Sequence, residues 1–229
     1  MNRGKLYNRI VPQRKWYSIK NEDKLGRFAE VMVYDEIGFF GVSASDFAND
    51  LSNLDVDEVV LRINSPGGEV FDGIAIYNSL KKHKAKVNVK VEGLAASIAS
   101  VIAMAGDTIE IDSSAMMMIH EGHSLSVGNA EDMRKQAELL DKVSETIAGI
   151  YAERAGGTPK EWRARMQAET WYDATEAVAS GLADSVHGVD SPGNRWDISL
   201  VGHTIDNPAA RLSDSNTDAA IRALREALK

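Results

Sequence analysis

Three short segments of this chain place reactive side chains next to small residues. Ser97 stands within Gly93-Leu94-Ala95-Ala96-Ser97-Ile98-Ala99-Ser100, where a strand pattern gives way to a helix pattern. His120 ends the apolar stretch Met116–Ile119, and Ser65-Pro66-Gly67-Gly68 follows an earlier apolar stretch. A serine hydroxyl, a histidine base and free backbone amides are the parts that acyl transfer needs.

Each of these signals also has an ordinary structural explanation. Pro66-Gly67 is typical of a tight turn, a serine such as Ser97 suits a helix N-cap, and a histidine at a strand end is often structural. No Gly-Lys-Ser/Thr follows Gly68, which excludes a phosphate loop. His120-Glu121-Gly122-His123 differs from the zinc motif His-Glu-x-x-His, so we predict no metal site.

The elements that must position these residues follow from hydrophobic periodicity. Strand and helix patterns alternate through residues 28–186, which favours an α/β domain with a largely parallel sheet. Gly93 is expected to break the strand at Val87–Val91. Ser43 or Ser45, and Thr158 with Glu161, are predicted to cap helices. The other predicted strands cover 28–34, 59–63, 108–111 and 116–119, and the predicted helices cover 70–82, 95–105, 129–154 and 176–180.

Composition narrows the class of function. The 229 residues carry 26 basic and 34 acidic side chains, a net charge of -8 that argues against a nucleic-acid partner. There is no cysteine, which excludes thiolate nucleophiles and cysteine-based zinc sites. The longest near-apolar run, Leu94–Ala105, is shorter than the roughly 20 residues of a membrane span. We therefore expect no membrane partner, and a cytoplasmic location.

The order of the motifs is more specific than any one of them. The chain resembles the proteolytic subunit of the Clp protease in the order of its elements and motifs. That order is strand, Asn64-Ser65-Pro66-Gly67-Gly68, helix, strand, Gly-x-Ala-Ala-Ser, helix, strand, and Met-Ile-His before a long helix. Gly181-Leu182-Ala183-Asp184 resembles the end of the same domain, so the resemblance covers residues 28–187. Tyr34–Ser43 and Glu169–Trp171 look closer to the phage and prophage branch, whose members are described as head maturation proteases.

The resemblance implies a serine peptidase and assigns roles by position. Ser97 matches the nucleophile, and His120 matches the general base. The N–H groups of Gly68 and Ile98 match the oxyanion hole. No metal or organic cofactor is implied.

The third catalytic residue departs from the family pattern. The family usually has aspartate, whereas Glu169 stands at the matching position here, and Asp173 is the alternative four residues on. A glutamate can fill the role, because a triad is defined by what its members do. The family's Gln-Pro after the histidine is replaced by Glu121-Gly122.

The resemblance also implies an architecture and an assembly. The expected fold is crotonase-like, with a parallel sheet and a protruding handle helix that begins at Asn129. A homo-oligomeric ring is implied, with rings paired through residues 122–154. The domain layout is an N-terminal lead-in (1–25), a peptidase domain (26–187), and a polar linker with a short C-terminal helix (188–229).

The leading functional hypothesis is a serine endopeptidase that processes phage or prophage capsid or scaffold proteins in the bacterial or phage-infected host cytoplasm. The alternative on the same chemistry is a housekeeping subunit of ATP-dependent protein turnover, which would work with an AAA+ unfoldase. A crotonase-type acyl-CoA enzyme would not need Ser97 or His120, and an inactive ring scaffold would not need an intact Ser/His/Glu set. The sequence therefore favours protein or peptide substrates.

Overall fold

The computed structural model describes residues 17–21, 28–38 and 43–188. The basic N-terminal arm and nearly all of the predicted linker and C-terminal helix lie outside the described residues. The described part contains eight strands and six helices. The strands are β1 (Tyr17–Asn21), β2 (Phe28–Tyr34), β3 (Glu58–Ser65), β4 (Lys86–Ala96), β5 (Thr108–Asp112), β6 (Met116–Ile119), β7 (Thr170–Asp173) and β8 (Ser185–His187). The helices are α1 (Ala44–Ser52), α2 (Val70–Lys82), α3 (Ile98–Ala103), α4 (Ala130–Ala155), α5 (Pro159–Gln167) and α6 (Ala174–Ala179).

The strands form one mixed sheet in the order β1-β2-β3-β4-β5-β8. Strands β2, β3, β4, β5 and β8 run parallel, and β1 is antiparallel to β2. The end of β4 also pairs in parallel with β6, which pairs antiparallel with β7. The prediction of an α/β domain with a largely parallel sheet is confirmed. The carboxyl ends of β3, β4 and β6 carry the three motifs.

One face of the central strands is apolar because their residues alternate with a period of two. Leu61, Ile63, Val89 and Val91 are buried, and each full burial of such a side chain stabilises the fold by about 1.5–3 kcal/mol. The outer face carries ion pairs instead, such as Arg62 Nη1 to Glu30 Oε1 at 2.8 Å. Partly exposed pairs of this kind contribute about 0–1 kcal/mol, so the apolar face decides which side is covered.

Several predicted boundaries are confirmed, and one local expectation is wrong. The strands at 28–34 and 116–119, the helix at 70–82 and the capping box at Thr158 form as predicted, and of the two candidate caps Ser43 and Ser45, Ser43 is the one used. Gly93 does not break β4, which continues to Ala96, so the next helix begins only at Ile98. A Cβ at Gly93 would lie 2.7 Å from Asn64 Oδ1, which shows that this glycine permits a close approach between neighbouring strands.

Two other segments were interpreted differently from the sequence. Tyr17–Asn21, inside the predicted lead-in, forms the edge strand β1, and the Tyr17 hydroxyl donates to Asp50 Oδ2 at 2.9 Å. Strands β7 and β8 were not predicted, because both have fewer than five residues and lack a clear alternating pattern.

The long helix α4 has two different halves. Asn129, predicted as the first residue of this helix, is instead its N-cap and forms a capping box. Val143 and Ile147 in its second half are buried in the domain core, whereas Met133 and Leu139 in its first half are exposed. Whether this first half acts as a handle between rings remains a prediction. Among the described residues, no helix combines the length and the apolar character needed to cross a bilayer.

Candidate active site

Ser97 lies at the sharp turn between β4 and α3. Its backbone has φ 55° and ψ -129°, a conformation that costs a non-glycine residue about 1–3 kcal/mol. The turn is held because the Ser97 N–H donates to the Met118 carbonyl at 2.9 Å. The Ser97 side chain does not cap α3, contrary to the structural explanation considered from the sequence.

The pairing of β4 with β6 brings His120 to Ser97. Ala96 pairs with Met118, so the residues that follow in each strand lie side by side. His120 Nε2 is 2.7 Å from Ser97 Oγ. The serine hydroxyl can therefore donate its hydrogen bond to a neutral imidazole, which is the contact that a general base needs.

Two backbone amides border the nucleophile. Gly68 forms a parallel bridge with Ile37, in which the Ile37 N–H donates to the Gly67 carbonyl and the Glu69 N–H donates to the Ile37 carbonyl. This bridge leaves the Gly68 N–H unused. Ile98 is the first residue of α3, so its N–H has no partner within the helix.

Both glycines of the turn after β3 are required by close packing. Gly67 has φ 102°, and a Cβ there would lie 2.7 Å from the Ser97 Cβ. Gly68 has φ 146°, and a Cβ there would lie 2.1 Å from the Ile37 carbonyl oxygen. The turn can therefore approach the nucleophile closely only with glycine at both positions.

Glu169 lies on the other side of His120. It is exposed, has φ 47°, and immediately precedes β7. Thr170 of β7 pairs with Ile119 of β6 in an antiparallel register. The next two residues in that register are Glu169 and His120, which therefore lie opposite each other just beyond the ends of the two strands. His120 Nδ1 is buried and has no hydrogen-bond partner among the residues that the structure describes. The carboxylate is thus near the imidazole without being bonded to it.

Asp173, the alternative third residue, lies elsewhere. It pairs with Met116 at the far end of β6, three residue pairs from Thr170 or about 10 Å along the strand. Its side chain accepts the Glu176 N–H at 2.8 Å and caps α6. This geometry favours Glu169 over Asp173 as the partner of His120.

The pKa of His120 is lowered from its ordinary value. Burial is the largest cause, followed by the charge of His123, whereas the Glu121 main chain and the Glu169 carboxylate act in the opposite direction. The His120 and His123 rings stack with centroids 4.3 Å apart and planes 22° from parallel. Stacked rings do not converge on a metal ion. This stacking could not be predicted from the sequence, because residues at i and i+3 are expected to be neighbours only in a helix.

A cavity of ≈ 240 Å³ opens beside the Ser97–His120 pair. Its lining is mixed: Gly68, Glu121 and His123 lie on the polar side, and a set of apolar side chains lines the rest. Such a space can hold one side chain of a peptide whose scissile bond lies at Ser97, with apolar and polar groups both within reach. The apolar lining residues are Val70, Val101, Met118, Ile147 and Tyr151.

Arg163 of α5 fixes the chain just after His120. Its guanidinium donates to Glu121 Oε1, to Asp141 Oδ1 at 2.7 Å and to the Asp141 carbonyl at 3.1 Å. Glu121, a departure from the family pattern, therefore connects the end of β6 to α4 and α5. The Gly122 N–H adds a second connection by donating to Ser144 Oγ of α4 at 3.2 Å.

Comparison with known proteins identifies a family whose sequence profile covers this site. The sequence profile of the family described as Clp protease matches residues 17–190, more than half of the chain. That range includes Gly68, Ser97, His120 and Glu169.

Individual relatives agree with the profile. A protein named ATP-dependent Clp protease proteolytic subunit from Lobularia maritima is 36% identical over 186 residues, covering 79% of this chain and 87% of the relative. One of the same name from Deinococcus radiodurans is 34% identical over 132 residues, covering 56% of this chain. The match spans 64% of the Deinococcus protein, slightly less than two thirds of its length.

Proposed function

The chain belongs to the Clp protease family, and we propose that it is a serine endopeptidase whose nucleophile is Ser97 and whose general base is His120. The observation that carries the proposal is the 2.7 Å contact between Ser97 Oγ and His120 Nε2 in the lining of a cavity large enough for a side chain. The names of the relatives, all proteolytic subunits, support the same chemistry.

The proposed reaction uses each group once in acylation and once in deacylation. Ser97 Oγ attacks the peptide carbonyl carbon while His120 Nε2 takes the hydroxyl proton. The N–H groups of Gly68 and Ile98 donate to the resulting oxyanion, and each donor of this kind is worth about 3–4 kcal/mol. His120 then gives its proton to the leaving amine, and water repeats the sequence to release the acyl group.

Glu169 is proposed to orient the imidazole and to stabilise its protonated form. The carboxylate already acts on His120 electrostatically, and it must approach Nδ1 to accept that hydrogen bond. Its exposed position leaves the side chain free to do so.

The substrate is proposed to lie as an added strand along residues 122–128. Leu125 and Val127 in this segment are exposed and project at the two-residue spacing of an extended chain. Main-chain hydrogen bonds along such an edge bind many sequences alike. Selectivity would then come from the cavity, where Val70, Val101 and Met118 would contact the side chain before the cleaved bond.

Active-site labelling tests this proposal directly. A fluorophosphonate should attach to Ser97, as located by mass spectrometry of a digest, and apolar peptides should be hydrolysed. A crotonase-type acyl-CoA enzyme or an inactive scaffold would give neither result. Labelling of another serine would contradict the assignment of Ser97.

The assembly is proposed to be a homo-oligomeric ring, with rings paired through residues 122–154. The exposed Met133 and Leu139 on the first half of α4 support a contact with a second copy. Leu139→Glu should then lower the native mass of the assembly and the activity together. Asn78→Glu, which adds the same charge at an exposed polar position of α2 outside residues 122–154, is the control. A fully active monomer would contradict the proposal.

The biological role is proposed to be maturation of phage or prophage capsid or scaffold proteins in the bacterial or infected-host cytoplasm. The amino-acid sequences of Tyr34–Ser43 and Glu169–Trp171, which resemble the phage and prophage branch of the family, support this role. The relatives' names fit the second candidate, ATP-dependent turnover with an AAA+ unfoldase, at least as well.

Co-expression separates these two roles. Cleavage of a co-expressed phage capsid protein at defined positions, lost with Ser97→Ala, would support maturation. Degradation of unfolded host proteins only when an unfoldase is added would support turnover.

A further inference from the structure

Ser100 carries a buried hydroxyl that the proposed reaction does not use. Its side chain is fully buried in α3, one turn after the nucleophile. Ser100 Oγ lies 2.5 Å from the Ser97 carbonyl oxygen, 3.1 Å from the Met118 carbonyl oxygen and 2.7 Å from the Tyr151 hydroxyl. Tyr151 belongs to α4 and is 1% exposed.

The protons in this cluster have one consistent arrangement. Ser100 has a single hydroxyl proton, and its shortest contact is to the Ser97 carbonyl, which can only accept. The Tyr151 hydroxyl therefore donates to Ser100 Oγ. Burial raises the pKa of the Tyr151 phenol, so this donor stays protonated. A Tyr151–Ser100–Ser97 chain of hydrogen bonds follows, and each bond polarises the next.

The Ser97 carbonyl shares one peptide plane with the Ile98 N–H. The described peptide bonds are all trans, so the carbonyl and the N–H of this plane point in opposite directions. The carbonyl is directed into the core, where it accepts from Ser100 Oγ and from the Ser100 N–H at 3.0 Å. Fixing the carbonyl therefore fixes the direction of the Ile98 N–H, on the side where Ile98 lines the cavity.

We propose that Ser100, supported by Tyr151, is a positioning residue that orients the Ser97–Ile98 peptide plane so that the Ile98 N–H faces the oxyanion. The inference rests on the proposed peptidase function and adds to it a residue that does not touch the substrate. The strained backbone at Ser97 is the reason that the plane needs a restraint beyond the ordinary helical hydrogen bond.

A positioning role makes a specific kinetic prediction. Ser100→Ala should lower kcat about tenfold on an apolar peptide, less than outright loss of an oxyanion donor. KM should stay within about twofold, because the variant leaves the cavity lining unchanged. Affinity for an apolar peptide boronate, whose tetrahedral adduct uses the oxyanion donors, should fall by the same factor as kcat.

A matched core variant separates positioning from general destabilisation. Ile102→Val, also buried in α3, should lower the thermal midpoint by a comparable amount and leave kcat unchanged. If Ile102→Val lowers kcat as much as Ser100→Ala does, or if Ser100→Ala keeps wild-type kcat, the inference is overturned.

Tyr151→Phe removes one oxygen and tests the second bond of the chain. It should lower kcat about twofold to threefold in the wild-type background and have no effect on kcat in the Ser100→Ala background. Equal effects in both backgrounds would overturn the role of Tyr151. If Ser100→Ala fails to fold, an unchanged kcat in Tyr151→Phe overturns the inference. Wild-type protein that neither hydrolyses peptides nor labels at Ser97 would instead refute the proposed function.

Discussion

The two sides of His120 are built differently. On the Ser97 side, a strand pairing and several backbone hydrogen bonds bring the nucleophile within 2.7 Å of Nε2. On the Glu169 side, an exposed side chain acts on the imidazole through its charge, and His120 Nδ1 has no hydrogen-bond partner within the described part of the chain. One contact is already formed, and the other depends on a side-chain movement.

The difference follows from what holds each group. Ser97 is fixed by main-chain groups that are also part of the sheet and of α3, so its position is as stable as the core. Glu169 must order a long side chain, which costs up to about 1.5–2 kcal/mol of rotamer entropy. We therefore expect the Ser97–His120 pair to dominate catalysis and Glu169 to modulate it.

The largest expected effect is on the Ser97 side of His120, where the hydrogen-bond contact is already formed. Ser97→Ala should lower kcat by about 10⁶-fold, since loss of the nucleophile removes the covalent route. Covalent labelling should disappear while the circular dichroism spectrum is unchanged. Ser79→Ala, at a half-buried serine of α2 away from the site, is the control and should retain full activity. Residual turnover above about 1% in Ser97→Ala would mean that this side does not dominate.

The next largest effect is expected on the Glu169 side of His120, where the carboxylate and the imidazole are not hydrogen-bonded. Glu169→Gln should lower kcat by about 10²-fold or more, because an amide cannot stabilise the imidazolium. Glu169→Asp should retain more activity than Glu169→Gln, since it keeps the carboxylate. Steady-state kinetics on one peptide measures both. A greater loss of kcat with Asp173→Asn than with Glu169→Gln would show that the wrong residue has been assigned.

A smaller effect concerns the pH dependence of His120. Neutral His120 is the base, and its pKa is lowered by burial and by His123, so activity should persist below the ordinary pKa of histidine and fall as His120 is protonated. His123→Phe keeps a stacking ring and removes the charge, so the acid limb of kcat/KM should move to higher pH. His187→Phe, at an exposed histidine far along the chain, should leave the profile unchanged. An acid limb that moves to lower pH in His123→Phe would contradict this account.

The smallest effect on activity is expected at Asp173. Asp173→Ala removes the side chain that caps α6, so the free energy of unfolding should fall by about 1 kcal/mol. The kcat value should stay within about twofold, because Asp173 lies at the opposite end of β6 from His120. Denaturant unfolding and peptide kinetics on one preparation separate the two effects. A loss of kcat without a loss of stability would give Asp173 a role in the site.

Much of the local structure was predictable because it depends on neighbouring residues. Capping boxes at Ser43 and Thr158 need only side chains three residues apart. The 70–82 helix follows from its periodicity. Gly93 shows the limit of this reasoning, since a glycine that resembles a strand breaker instead permits the contact with Asn64.

The sequence alone determined which residues carry chemistry and in what order, because motif spacing and residue type are properties of the chain itself. It nominated Ser97, His120 and Glu169, and the structure brings the first two into contact.

Only the tertiary structure decided how these groups meet. The parallel pairing of β4 with β6, the stacking of His123 on His120, and the buried Ser100–Tyr151 hydrogen bond join residues that are distant or unrelated in sequence pattern. Their geometry depends on strand register and on packing between elements, and local periodicity contains no information about either.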